Sequence, residues 1–118
     1  MVEKERRLAR KKLDKEMRPF RTAGREANPT DALLRAARQA LGIPVKEIAG
    51  KMGLGRSTVN DLEVSERNGT ISMRSLGRMA EAMGCKVVYG VVPVKGKTLE
   101  DLAEERLWRT VLGIGKRE

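Results

Sequence analysis

The sequence predicts a mainly α-helical protein with one late β-strand, and three observations carry that prediction. Apolar residues recur at three- and four-residue spacing through most of the chain. Most of these runs are opened by a capping residue or closed by Gly. Only "CKVVYGVVPV", residues 85–94, changes texture, with Val and Tyr in period-two alternation.

The totals bound the function. A chain of 118 residues, 40% of them apolar, buries one modest core but not the large sheet of a nucleotide hydrolase. Lys and Arg number 25 against 16 acids, a formal charge of +9. That excess favours a polyanionic partner, nucleic acid first and an acidic membrane surface second; a solvated basic surface is the plain alternative. Cys85 stands alone and there is no His, which removes a disulfide framework, His-based acid–base chemistry and most transition-metal sites. No catalytic residue, metal or cofactor is therefore expected, and the protein is not read as an enzyme. No apolar run approaches the ~20 residues of a membrane span. The charged start lacks the apolar core of a signal peptide, so a soluble, cytoplasmic protein is expected.

The first segment, "ERRLARKKLDKEMRPF", sets Ala9, Leu13, Met17 and Phe20 in a narrow apolar stripe on a strongly basic helix. Pro19 and the Gly24 region are expected to end it. Two readings stay open: the stripe packs on the domain or on a second chain, or the helix is a basic arm following DNA phosphates. "NPTDALLRAARQALG" follows, with Asn28 as cap, Pro29 and Asp31 in the first turn, and Gly42 as stop. Leu33, Leu34, Ala37 and Leu41 are its predicted buried face. "PVKEIAGKMG" buries Val45, Ile48, Ala49 and Met52, and Gly53 closes it. The helix from Arg56 buries Val59 and Leu62. Ser72 caps a helix carrying Leu76, Met79, Ala80 and Met83. Thr98 and Asp101 form a capping box for a last helix with Leu99, Leu102, Ala103, Leu107 and Val111 on its apolar face.

"GKMGLGRSTVN", residues 50–60, poses the sharpest question. Gly50-x-x-x-x-Gly55-Arg56-Ser57 is one substitution from a phosphate loop. Such a loop follows a buried strand, and "ALGIPVKEIAG" is helical in period. Arg also replaces the Lys that serves as a compact point charge. The match is a coincidence of spacing. A tight helix pair explains more: Ala49 where the helices touch, Gly53 where the first stops, and Val59 and Leu62 locking the second.

These residues resemble the Xre-type helix-turn-helix family of phage repressors and bacterial regulators. "IAGKMGLGRSTVNDLE" is similar to its core pattern, and the likeness continues through "GTISMRSLGRMAEAMG". With "CKVVYGVVP" and an earlier "ARKKLDKEMRPFR", it looks like the narrower mobile mystery protein A group, over roughly residues 8 to 105. The resemblance implies a five-helix Xre/repressor-like domain at 28–84, after a basic N-terminal helix at 1–27 and before a strand and helix at 85–118. It implies that the helix from Arg56 lies in the major groove of double-stranded DNA. Arg56, Ser57, Asn60 and Asp61 would face the bases, with Arg56 matching a guanine edge and Asn60 adenine. Asp61 would accept from cytosine or orient Arg56, while Ser57 and Thr58 suit phosphate contact or capping. Arg38 and Glu63 match positions that form a buried ion pair in many members. Two departures stand out. Pro44 and Val45 replace the usual hydroxyl or amide cap and phosphate-clamping polar residue, which shifts phosphate contact to backbone N–H groups, Lys46, Lys51 and Arg67. Gly50 sits inside a helix, at a cost of up to ~1 kcal/mol against Ala.

Two further expectations concern partners. A lone strand leaves its backbone groups unpaired, so Val87, Tyr89 and Val91 are expected to pair with an unseen segment or, as favoured, with a second copy about a two-fold axis. Trp108 is read as a packing anchor at the domain surface or in that homodimer. Members of the narrower group typically stand beside a Fic-domain companion, which implies an antitoxin-like pairing and a repressor of its own operon. The alternative reading makes neutralisation of that companion the main role.

Overall fold

A computed structural model describes residues 1–26 and 32–113. The described residues form seven α-helices and one 3-10 turn, with no strand. The helices are α1 (Glu3–Glu16), α2 (Arg18–Glu26), α3 (Leu33–Ala40), α4 (Val45–Met52), α5 (Arg56–Asn68), α6 (Met73–Ala82) and α7 (Leu99–Leu112). The chain divides into two compact units, Pro29–Val88 and a second built from Met1–Asn28 with Tyr89–Glu118.

Unit Pro29–Val88 has a small, fully buried centre. Ile48, Val59 and Met79, one from each of α4, α5 and α6, are 0% exposed. Leu34, Ala49, Ala82 and Met83 join them, with Ala37, Val45, Leu54 and Leu62 packed at the margin. Each helix reaches this centre through residues three or four apart, the spacing that lines one helical face. Leu33 and Leu41 do not: both are 57% exposed, so the buried face of α3 is narrower than its apolar content suggests. The Asn28, Pro29 and Asp31 start signals lie outside the described residues. Within them, the Leu34 N–H is met by the Glu66 carboxylate of α5 at 2.8 Å, because the Ala32 side chain has no acceptor to offer. Ser72 does cap α6, accepting the Ser75 N–H at 3.1 Å.

Four described α-helices, not five, lie between residues 33 and 82. After Gly84 the chain runs to Pro93 with neither helix nor ladder, which overturns the predicted strand. Alternating Val residues specify faces, but a strand exists only through backbone bonds to a neighbour. Here residues 85–93 make no such ladder, and the Gly90 backbone instead lies close against the side chains of Phe20 and Met17. A Cβ built on Gly90 would lie 2.7 Å from Phe20 Cγ and 3.1 Å from Met17 Sδ.

In the other unit, polar contacts tie α1 to both α2 and α7. The basic N-terminal segment is two helices rather than one. Pro19 lacks the N–H that would bond to the Lys15 carbonyl and its ring crowds that carbonyl, so α1 stops at Glu16. Pro19 then sits harmlessly in the first turn of α2. The Asp14 carbonyl freed by this break accepts from Arg21 Nη1 at 2.6 Å. At the start of α7, Thr98 and Asp101 form the capping box, with the Asp101 N–H donating to Thr98 Oγ1 at 3.1 Å. Arg10 Nε reaches Glu100 Oε1 at 3.0 Å, and Lys97 pairs with Glu105. No residue of α7 is buried; Leu107, Val111 and Leu112 are 60–64% exposed.

Candidate nucleic-acid interface

The candidate interface is assembled by α4, α5 and the turn between them. α4 ends where Gly53 takes φ 67°, a left-handed conformation that costs a residue without Cβ nothing. The Leu54 N–H returns to the Ala49 carbonyl at 2.9 Å and fixes the turn. Gly55 then enters α5 with no side-chain cap, and the first intrahelical bond is Val59 N–H to the Gly55 carbonyl. The amides of Arg56, Ser57 and Thr58 precede that bond and point out of the helix start. Gly50, the first glycine of the apparent phosphate loop, lies inside α4, so no strand-to-helix loop exists there.

α5 has two sharply different sides. Val59 (0%) and Glu63 (6%) are buried, and Leu62 is half-buried. Arg56, Ser57, Thr58, Asn60 and Asp61 are all exposed, as is Arg67 in the last turn. The hydrophobic anchor at Val59 therefore turns positions 57 and 61 away from the core and 60 to the flank, and Arg56 is exposed because it opens the helix.

Behind this face lies a buried ion pair. Arg38 Nε donates to Glu63 Oε2 at 2.6 Å and Nη2 to Oε1 at 3.1 Å, a two-point contact between α3 and α5. Arg38 Nη1 also donates to the Ile43 carbonyl at 3.1 Å. Hydrogen bonding to Glu63 raises the Arg38 pKa above its ordinary value, with the neighbouring negative charge adding to the effect against desolvation. Glu66, one turn further along α5, holds the start of α3. Its role went unread in the sequence, although its i+3 spacing from Glu63 places both carboxylates on one face.

The expected phosphate residues are not equivalent. Lys46 is exposed at the start of α4, where Pro44 supplies no side-chain cap. Val45 is half-buried against the core and presents no polar group. Lys51 is occupied: Nζ donates to the Ala82 carbonyl at 3.2 Å and lies 3.5 Å from Glu47. Tyr89 and Val91 are 70% and 78% exposed and Trp108 is 55% exposed, whereas Val87 is half-buried.

A family model described as "Helix-turn-helix" matches residues 34–89. That segment is similar to helix-turn-helix domains, a kind of module with which transcription regulators bind DNA. α1, α2 and α7 fall outside the match. No curated protein and no solved structure matches the chain. Among the described residues, no helix is long and apolar enough to cross a membrane.

Proposed function

We propose that the protein is a sequence-specific regulator of transcription that reads double-stranded DNA with α5 in the major groove. The observation that carries this reading is the division of α5. Val59 and Glu63 are buried, while Ser57 and Asp61 lie on the far side of the helix, Asn60 on its flank and Arg56 at its exposed first turn. Arg56 presents a planar two-donor fork suited to the guanine O6 and N7 edge, and Asn60 suits adenine. Asp61 accepts from cytosine or orients Arg56. Phosphates are held by Lys46, Thr58, Arg67 and the open amides at the starts of α4 and α5, with Lys51 left to its structural contacts.

The protein acts as a homodimer on a palindromic or near-palindromic operator, with two recognition helices ~34 Å apart in successive major grooves. The exposed Tyr89, Val91 and Trp108 side chains favour such an apolar contact. Occupation of its own promoter makes it a repressor, in keeping with the resemblance to the mobile mystery protein A group. Mobility shifts with the region upstream of its own gene test the base-reading assignment. Arg56→Ala is expected to lose preference for that DNA over a scrambled duplex, by ~1–3 kcal/mol. Equal discrimination by both proteins would remove Arg56 from the reading set.

A second reading has its own support. Leu107, Trp108, Val111 and Leu112 leave the end of α7 apolar and bare, as expected of a helix that docks a companion protein. A Fic-domain neighbour would be that companion. Co-purification of the two gene products tests it, and a wild-type pair that elutes separately would count against it.

A further inference from the structure

The charges on α1 are not spread evenly. The helix carries seven Lys and Arg against four Asp and Glu. Two of those acids are spent: Glu3 on Arg6 at 3.3 Å and Arg10 at 3.1 Å, and Asp14 on the first amides of α7. Glu5 and Glu16 fall on the flank of the helix at 3.6 residues per turn. The same spacing puts Lys4, Arg7, Lys11 and Lys15 in one row, at offsets of three, four and four. All four are exposed, and among the described residues none has an ion pair or hydrogen bond. Ala9, Arg10 and Leu13 line a groove shared with Leu102 and Ala103 of α7, and Arg7 borders both that groove and the row.

Cations three and four residues apart repel one another and weaken the helix that bears them. Among the described residues no carboxylate pairs with these four side chains, which leaves the row open to an anionic partner. We infer that the Lys4–Arg7–Lys11–Lys15 face of α1 is a second DNA-contacting surface, holding backbone phosphates without reading bases. The inference rests on the DNA-binding reading given above and extends it to a helix outside the helix-turn-helix domain. Long cationic side chains with no hydrogen-bonding acceptor or aromatic partner among them suit phosphate neutralisation rather than base recognition. An acidic membrane surface fits less well: a helix lying in the interface buries a continuous apolar side in lipid, whereas in α1 Ala9 and Leu13 turn to the groove with α7 and Leu8, 60% exposed, stands by itself beside the cations.

The test uses the full chain with Lys4, Arg7, Lys11 and Lys15 all changed to Gln, and a fluorescent duplex of about 30 base pairs with arbitrary sequence. Affinity is followed as salt is raised. Each phosphate contact contributes about 0.9 to the slope of log affinity against log salt, so the variant slope should be shallower by roughly 3 to 4. Preference for the selected operator over scrambled DNA should be unchanged. A wild-type slope in the variant overturns the inference while leaving the base-reading helix intact. Absence of binding by the wild type to any duplex overturns the DNA reading itself. Tighter binding of the wild type to phosphatidylserine vesicles than to duplex at equal salt assigns the row to membrane and also overturns it. If the fourfold variant melts early, Lys11→Gln and Lys15→Gln singly give the same reading, each expected to reduce the slope by about 1.

Discussion

The Asp14 carboxylate of α1 accepts the Leu99 N–H at 2.8 Å, and its second oxygen accepts the Glu100 N–H at 3.3 Å. An acid from one helix thus fills the open donors at the start of another, 85 residues later. Asp14→Ala is expected to lower stability by about 1–2 kcal/mol, the range for a lost helix cap. Urea unfolding followed by circular dichroism checks this. Asn, which keeps one acceptor oxygen, should restore part of the loss; an unchanged midpoint for Asp14→Ala would show that the contact contributes nothing.

Glu63 is the buried acid of the Pro29–Val88 unit, 6% exposed and bonded twice to Arg38. Glu63→Ala leaves the guanidinium without its carboxylate in a largely dry site, and should cost ~3–5 kcal/mol. The double change Arg38→Met with Glu63→Leu removes both charges and should recover most of that loss. A double variant no more stable than the single one would contradict the account of an unpaired buried cation.

Gly50 is the converse case. Nothing lies within 4 Å of a Cβ built there. Gly50→Ala should therefore raise stability by up to ~1 kcal/mol through helix propensity alone. DNA affinity measured on the same variant reports whether that bare patch of α4 must admit a phosphate backbone. A lower melting temperature for the variant would refute the propensity argument.

Acid should loosen α7 first at its start. The Thr98 backbone N–H bonded to Asp101, helped by the Thr98 hydroxyl, holds this carboxyl below its ordinary value of 3.8. A depressed folded pKa means that its stabilisation is complete at neutral pH and is lost as pH falls through the folded value. Amide exchange at Leu102, whose N–H bonds to the Thr98 carbonyl, should accelerate over that acid range relative to Val59. In Asp101→Asn the acid dependence of this difference should vanish.

The Pro29–Val88 unit was legible because its signals are local. Ile48, Ala49, Val59 and Met79 fall on the periodic faces that predict burial, and Gly53 marks the turn by a conformation that few other residues accept. The terminal half was less legible because its determinants are distant in sequence. Asp14 and Leu99 meet across 85 positions, and no periodicity announces that bond. The segment from Cys85 to Pro93 misled for a related reason. Its valines satisfy a strand's side-chain preference, yet its backbone has no ladder partner and Gly90 lies close against Phe20 and Met17. The exposed Leu33 and Leu41 add that apolar spacing marks a helix more surely than it marks which apolar residues are covered.

The partition of α5 has a consequence for how such a protein acquires new targets. Val59, Glu63 and Glu66 hold the helix in place, and each bond they make runs to the core or to α3. Positions 56, 57, 60 and 61 hold nothing up. Those four letters can be rewritten like the teeth of a key whose shank is left alone, and a change of operator needs no change of fold.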